Sequence, residues 1–154
     1  MSTLQLWTDG ACEPNPGIGG WGYLVVDRGR VQREGCGGEA VTTNNRMEMI
    51  AIIQGLRALA GGAGPLVMSD SRYCVNGCTI WRRRWQKRGY TRGSSDMLNA
   101  DLWRELHAEA DRTFARFQWV REHSGIRLNE RADRLAAQGR AQALFPGQMV
   151  ASSA

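Results

Sequence analysis

At 154 residues with 42% hydrophobic content, the chain suits one globular domain with a single core and leaves little room for a second. The formal charge of +5 and pI near 9.5 favour a polyanionic partner, with the basic residues concentrated between Arg82 and Arg92. The opening MSTLQLWTDG has no basic leader followed by a long apolar run, and no stretch approaches the length of a membrane span, so a cytoplasmic protein with no membrane partner is expected.

Leu4 to Thr8 is β-prone and runs into DGACEPNPGIGG, whose glycines and prolines exclude regular structure, so the first strand is expected to end at Asp9. Trp21 to Val26 and Val31 to Gly35 flank the turn residues Asp27 to Arg30 and read as a hairpin that continues an antiparallel meander. From Asn45 the pattern changes to helical spacing, with Met49, Ile52, Ile53, Leu56 and Leu59 recurring until Gly61 and Gly62. Leu66 to Ser69 is a short strand that ends at Asp70 and feeds a helix over Arg72 to Cys78. A basic, tryptophan-rich stretch follows, then a helix from Asp101 to Arg112 and a last strand from Phe117 to Val120. The final amphipathic helix carries Leu128, Ala132, Leu135 and Ala136. From about Gln142 the period is lost, and a loosely held tail over residues 142–154 is expected. Strands grouped early and then alternating with helices imply a mixed α/β sheet with helices on its faces. Cys12, Cys36, Cys74 and Cys78 are irregularly spaced and read as free thiols; Cys74 and Cys78 lie one helical turn apart, but no nearby His or Cys completes a zinc site.

Asp9, Glu48, Asp70 and Asp133 each stand at the edge of a strand or helix among small polar residues. If they converge, repulsion per pair at about 4 Å and an effective dielectric near 20 is about 4 kcal/mol, so protons or cations must occupy the centre. Two Mg²⁺ would neutralise four charges and accept substrate phosphates as well, which points to phosphate chemistry. Singly, each carboxylate also has a local role. Asp9 can initiate the loop turn with Asn15 and Gly17, Asp70 can cap the following helix within Ser69-Asp70-Ser71, and Glu48 can complete a capping box with Asn45. Asp133 cannot face Arg131 or Arg134 at their spacing, but Arg127 or Arg140 remain available as surface partners.

The segments TDGACEPNPGIGGWG, TTNNRMEM, SDSRYCVNG and HSGIRLNERADRLA, in this order and with these separations, resemble the type 1 ribonuclease H family. The resemblance covers residues 1–141 and implies a ribonuclease H-like fold with a five-stranded mixed sheet, three antiparallel strands then two parallel ones. It implies a monomeric endonuclease that cuts the RNA strand of RNA–DNA hybrids with two Mg²⁺ or Mn²⁺ ions, leaving 5′-phosphate and 3′-hydroxyl ends. Asp9 and Asp70 would be the shared ligands, with Glu48 and Asp133 holding one ion each. One ion would activate a water and the other stabilise the leaving oxygen, at a separation of roughly 3.5–4 Å.

By the same resemblance His123 assists proton handling or product departure, and Glu122 stands before it where the family commonly has glycine, a carboxylate able to favour imidazolium or to point away. His107, on a helix, reads as structural. Gly10, Cys12, Asn15, Asn44, Asn45 and Arg72 match positions that contact the hybrid, whose 2′-hydroxyls distinguish RNA from DNA. Thr43 and Asn15 match residues that seat a DNA phosphate. The basic residue that the family often adds there is replaced by Val26, which leaves Arg28 as the neighbouring cation. Residues 80–92 resemble the family's basic protrusion, so Arg83, Lys87 and Arg88 would grip the DNA strand with Trp81 and Trp85 beside them, at least partly as core anchors. Rival readings are another nuclease of the same superfold, a non-catalytic hybrid-binding module, and an unrelated α/β domain for a small phosphorylated ligand.

Overall fold

A computed structural model of the chain describes residues 3–122 and 125–145. β1 (Leu4–Cys12), β2 (Gly17–Asp27) and β3 (Arg30–Thr42) form an antiparallel meander. The β2–β3 turn has Arg28 at φ 53° and Gly29 at φ 77°, the left-handed pair that a two-residue hairpin needs. α1 (Asn44–Arg57) leads to β4 (Leu66–Ser69), α2 (Arg72–Thr79) and the short α3 (Arg82–Lys87). A two-stranded ribbon, β5 (Thr91–Arg92) and β6 (Ser95–Asp96), precedes α4 (Ala100–Thr113), β7 (Arg116–Trp119) and α5 (Arg127–Leu144). β4 joins β1 in parallel and β7 joins β4 in parallel, giving the order β3-β2-β1-β4-β7. This is the expected five-stranded mixed sheet.

Alternation along the strands divides the core. Leu6, Val25 and Val67 turn towards α1, α2 and α4, where they meet Ile52, Ile53, Leu56, Trp103 and Leu106. Trp7, Leu24, Val26 and Met68 turn the other way with Val120 and Leu135. Each fully buried side chain of this kind contributes about 1.5–3 kcal/mol.

The segment expected as a loop after Asp9 is one only in its middle, because β1 keeps pairing to Cys12, opposite Gly19, and β2 begins at Gly17. Its glycines mark close helix approach. A Cβ at Gly20 would lie 2.0 Å from the Ala136 carbonyl oxygen, and one at Gly139 would lie 1.9 Å from that of Gly37. α5 therefore rests directly on the strands. It also runs on to Leu144, past the Gln142 boundary expected for the tail, with Gln142 Nε2 3.7 Å from Cys36 Sγ. Residues 146–154 of that tail lie outside the described residues. All four cysteines are free, and no described helix is long and apolar enough to cross a membrane.

Candidate active site

β4 pairs with β1 only across Gln5, Leu6 and Trp7, so β1 outruns its parallel neighbour and leaves one edge uncovered towards Cys12. A cleft of about 410 Å³ opens there, at the carboxyl ends of β1 and β4. Asp9 enters it from β1, where it pairs with Gly22 and is 7% exposed. Gly10 lets α1 close over the strand, since a Cβ at this position would lie 2.4 Å from Glu48 N. That contact brings Glu48 to Asp9. Asp70 enters from the end of β4 and Asp133 from α5.

The local roles open to these residues fall to their neighbours. Thr43 caps α1, its Oγ1 accepting from Arg46 N at 3.2 Å, which excludes the Asn45–Glu48 capping box. Ser71 caps α2, its Oγ accepting from Cys74 N at 3.1 Å, so Asp70 is not the cap. Arg140 donates to the carbonyls of Glu13 and Ile18 and Arg131 to Glu34. Ligand atoms of Asp9, Glu48 and Asp70 lie within 4.8 Å of one another, with Asp133 on the cleft wall beside them.

Electrostatics record the strain of that convergence. Burial, then the charge of Asp70, pushes Asp9 from 3.8 up to about 8. A hydrogen bond to Asp133 also favours its protonated form. Burial and the charges of Asp9 and Asp70 raise Glu48 well above its ordinary 4.5. Asp70 rises from 3.8 to about 6 through burial and then the charge of Glu122. Glu48 Oε2 is shut off from solvent with no hydrogen-bond partner among the described residues. A buried orphan oxygen beside two further hard oxygen donors is a site that fits a divalent cation.

The RNase H family model matches residues 1–141. The chain belongs to the ribonuclease H family. Ribonuclease H of Pseudomonas fluorescens (strain Pf0-1) is 46% identical over 140 residues, covering 90% of this chain and 91% of that protein. Ribonuclease HI of Pseudomonas syringae pv. tomato is 47% identical over 138 residues, covering 89% and 91%. Among solved structures, LC9-RNase H1, a type 1 RNase H with the type 2 active-site motif, aligns with a TM-score of 0.83 and 31% identity over 99% of this chain and 78% of that one. LC11-RNase H1, solved in complex with an RNA/DNA hybrid, aligns at 0.69 and 22% identity over 92% and 99%.

Within this ribonuclease H the remaining expected residues separate into groups. Gly10, Asn44, Asn45 and Arg72 line the carboxylate cleft. Cys12 does not offer its side chain, which is buried with Sγ 3.2 and 3.4 Å from the carbonyl oxygens of Pro14 and Thr42, and its N–H donates to Asn44 Oδ1 at 2.6 Å. Asn15 Oδ1 accepts from Asn44 N at 3.1 Å and holds the loop against α1. Asn15, Thr43, Asn44 and Asn45 line a second cleft of about 630 Å³ with Arg46, Leu98 and Asn99.

Val26 and Arg28 are not at that second cleft. Val26 is fully buried in the α5-side core, and Val26 and Gly17 lie at opposite ends of β2, roughly 30 Å apart at the rise of an extended strand. The cation there is Arg46, held by both carboxylate oxygens of Asp101 at 3.0 and 2.9 Å and by Asn99 Oδ1 at 3.3 Å. Its place in TTNNRMEM, beside Asn44 and Asn45, was the available signal. Arg83, Lys87 and Arg88 stand exposed on the α3 protrusion, whereas Arg82 is held at 2.6 Å by Asp111. Trp81 and Trp85 form its root: Trp81 lies 5.6 Å from Trp85 between ring centroids, and Trp85 4.8 Å from buried Trp103.

His107 is structural, as its helical position suggests. Its Nε2 bonds the Gly77 carbonyl at 2.9 Å and its Nδ1 the Tyr90 hydroxyl at 2.8 Å, while burial lowers it from 6.5 to about 4. Glu122 lines the carboxylate cleft, so its charge bears on Asp70. His123 lies outside the described residues. No spacing in the sequence marks Trp119 or Tyr73. Trp119 Nε1 donates to the Asp70 carbonyl at 3.0 Å, and the Tyr73 hydroxyl accepts from Trp103 Nε1 at 3.0 Å and Asn99 Nδ2 at 3.1 Å.

Proposed function

We propose that this ribonuclease H hydrolyses the RNA strand of RNA–DNA hybrids as a monomer, using two divalent cations, Mg²⁺ or Mn²⁺, and leaving 5′-phosphate and 3′-hydroxyl ends. The observation that carries the reading is the convergence of Asp9, Glu48 and Asp70, with one Glu48 oxygen left without a partner and Asp133 on the wall. Asp9 and Asp70 are the shared ligands in this reading, Glu48 and Asp133 the single ones. When bound, such ions activate a water for attack on phosphorus and stabilise charge on the leaving oxygen.

The chain's own groups orient the substrate. Arg72 and the amides of Asn44 and Asn45 border the carboxylates and supply donors to the hybrid backbone and sugar edges. Thr43, Asn15 and Arg46 form the more distant cleft, which suits a phosphate of the DNA strand. The exposed Arg83, Lys87 and Arg88 of the α3 protrusion add basic surface for the same strand. His123, in the segment between β7 and α5, is assigned proton handling or product departure.

Cleavage of a labelled hybrid by the parent and by Asp70→Asn, with Mg²⁺ or with EDTA, tests the reading. The expected result is RNA-strand cleavage by the parent with Mg²⁺ alone. Cleavage that survives Asp70→Asn refutes the ligand assignment, and duplex DNA cut at a similar rate points to another nuclease of the superfold. Hybrid binding with no cleavage under any divalent cation identifies a binding module instead.

A further inference from the structure

Asp9, Glu48, Asp70, Glu122 and Asp133 line the carboxylate cleft, and among the described residues Arg72 is its one cation. A phosphodiester that enters therefore meets a lining of carboxyl groups, and the position of this guanidinium decides whether the anion has an anchor. Asp70 is two residues away in sequence, so a loose Arg72 would fold onto Asp70 or Glu122 and cancel charge needed for the cation. The structure holds it elsewhere. Arg72 Cζ lies 4.0 Å from the ring centroid of Trp119.

Trp119 is fixed in turn. Its residue pairs with Ser69 across the β4–β7 ladder, Val120 N donates to the Ser69 carbonyl at 2.9 Å, and its indole N–H donates to the Asp70 carbonyl. At 36% exposure Trp119 stands outside both core clusters. A guanidinium stacked on an aromatic face keeps its N–H rim available for two phosphate oxygens at once.

We propose that Trp119 is a positioning residue that holds Arg72 on its indole face, away from the carboxylates, as the anchor for a substrate phosphate beside the metal-binding cluster. This rests on the hydrolytic reading above. The test is a double-mutant cycle of Trp119→Val and Arg72→Gln, read as hybrid affinity in EDTA by anisotropy of a labelled hybrid and as KM and kcat with Mg²⁺. Each single change is expected to weaken binding roughly three- to tenfold, raise KM similarly and lower the salt slope by about 0.9, and the double variant is expected to be no worse than either.

Losses that multiply in the double variant, or parental affinity in Trp119→Val, overturn the proposal. A purely structural tryptophan would lower Tm and kcat without moving the salt slope or masking Arg72→Gln. If Trp119→Val does not fold, Trp119→Phe carries the same test at smaller amplitude: its loss of affinity must vanish in the Arg72→Gln background. A parent that binds hybrid but does not cut it overturns the hydrolytic reading, while the binding cycle still decides the role of Trp119.

Discussion

Replacing Asp9 by Asn should stabilise the metal-free protein while abolishing its activity. Asp9 is raised from 3.8 to about 8 by burial and Asp70, so near pH 7 it stays protonated in the folded chain and is ionised in the unfolded one. Below its ordinary value both states hold the proton and no penalty exists. As pH rises from about 4 to 8 the unfolded state alone releases it, and stability falls. At 1.36 kcal/mol per unit, the penalty near pH 7 approaches about 4 kcal/mol. Asn carries none of it.

The expected gain is about 2–4 kcal/mol in EDTA, or roughly 10 °C in Tm for a domain of this size. Calorimetry or circular dichroism of parent and variant near pH 7 and near pH 4 checks it, with a Mg²⁺ titration alongside. The gain should vanish near pH 4, and added Mg²⁺ should raise Tm of the parent more than that of the variant. A variant no more stable than the parent near pH 7, or a gain of equal size near pH 4, refutes the argument that uncompensated carboxylates strain the site.

Gly10→Ala should lower kcat about a hundredfold, because the new Cβ meets α1 backbone at Glu48 and must displace that carboxylate by an ångström or so; steady-state kinetics near the parental rate would show that α1 yields freely. Tyr90→Phe should cost about 1–2 kcal/mol in urea unfolding by stranding His107 Nδ1. His107 itself is lowered by burial, so its contribution is present above about 6.5 and lost as pH falls through about 4, and imidazole NMR shifts should stay neutral until that range. Neutralising Arg83, Lys87 and Arg88 together should raise KM and flatten its salt dependence while sparing kcat; an unchanged slope would remove the protrusion from the substrate's path.

The parts of the fold legible in the sequence are those with a period of their own. The spacing from Met49 to Leu56 marks α1, and the run Leu66–Ser69 gives β4 to the residue. Strand continuity from Asp9 to Cys12 was not legible, because glycine there reads as a turn signal when only local freedom is weighed. Gly10, Gly20 and Gly22 instead make room for helices distant in sequence, a demand that a single stretch does not display. The β5–β6 ribbon is two residues a side, too short for any period. Basicity at the second cleft is hidden for a related reason: Val26 matches a pattern along the chain, while Arg46 lines the cleft and pairs with Asp101 across the fold.

The carboxylates were legible as a set and ambiguous one by one, and the structure shows why. Helix starts attract Asp, Asn, Ser and Thr because exposed N–H groups need acceptors, so an acidic residue near a start reads as a cap. Here the caps are taken by Thr43 and Ser71, neutral hydroxyls a few residues or one residue from Glu48 and Asp70. With the N-termini already satisfied, neither carboxylate is drawn into holding its own helix, and both turn into the cleft, where burial and then repulsion raise their proton affinity. Local structure and chemistry are thus divided between adjacent side chains. Asp9 lies within β1 and caps no helix either, so its removal brings a gain in stability, whereas removing Thr43 or Ser71 should cost about 1 kcal/mol each.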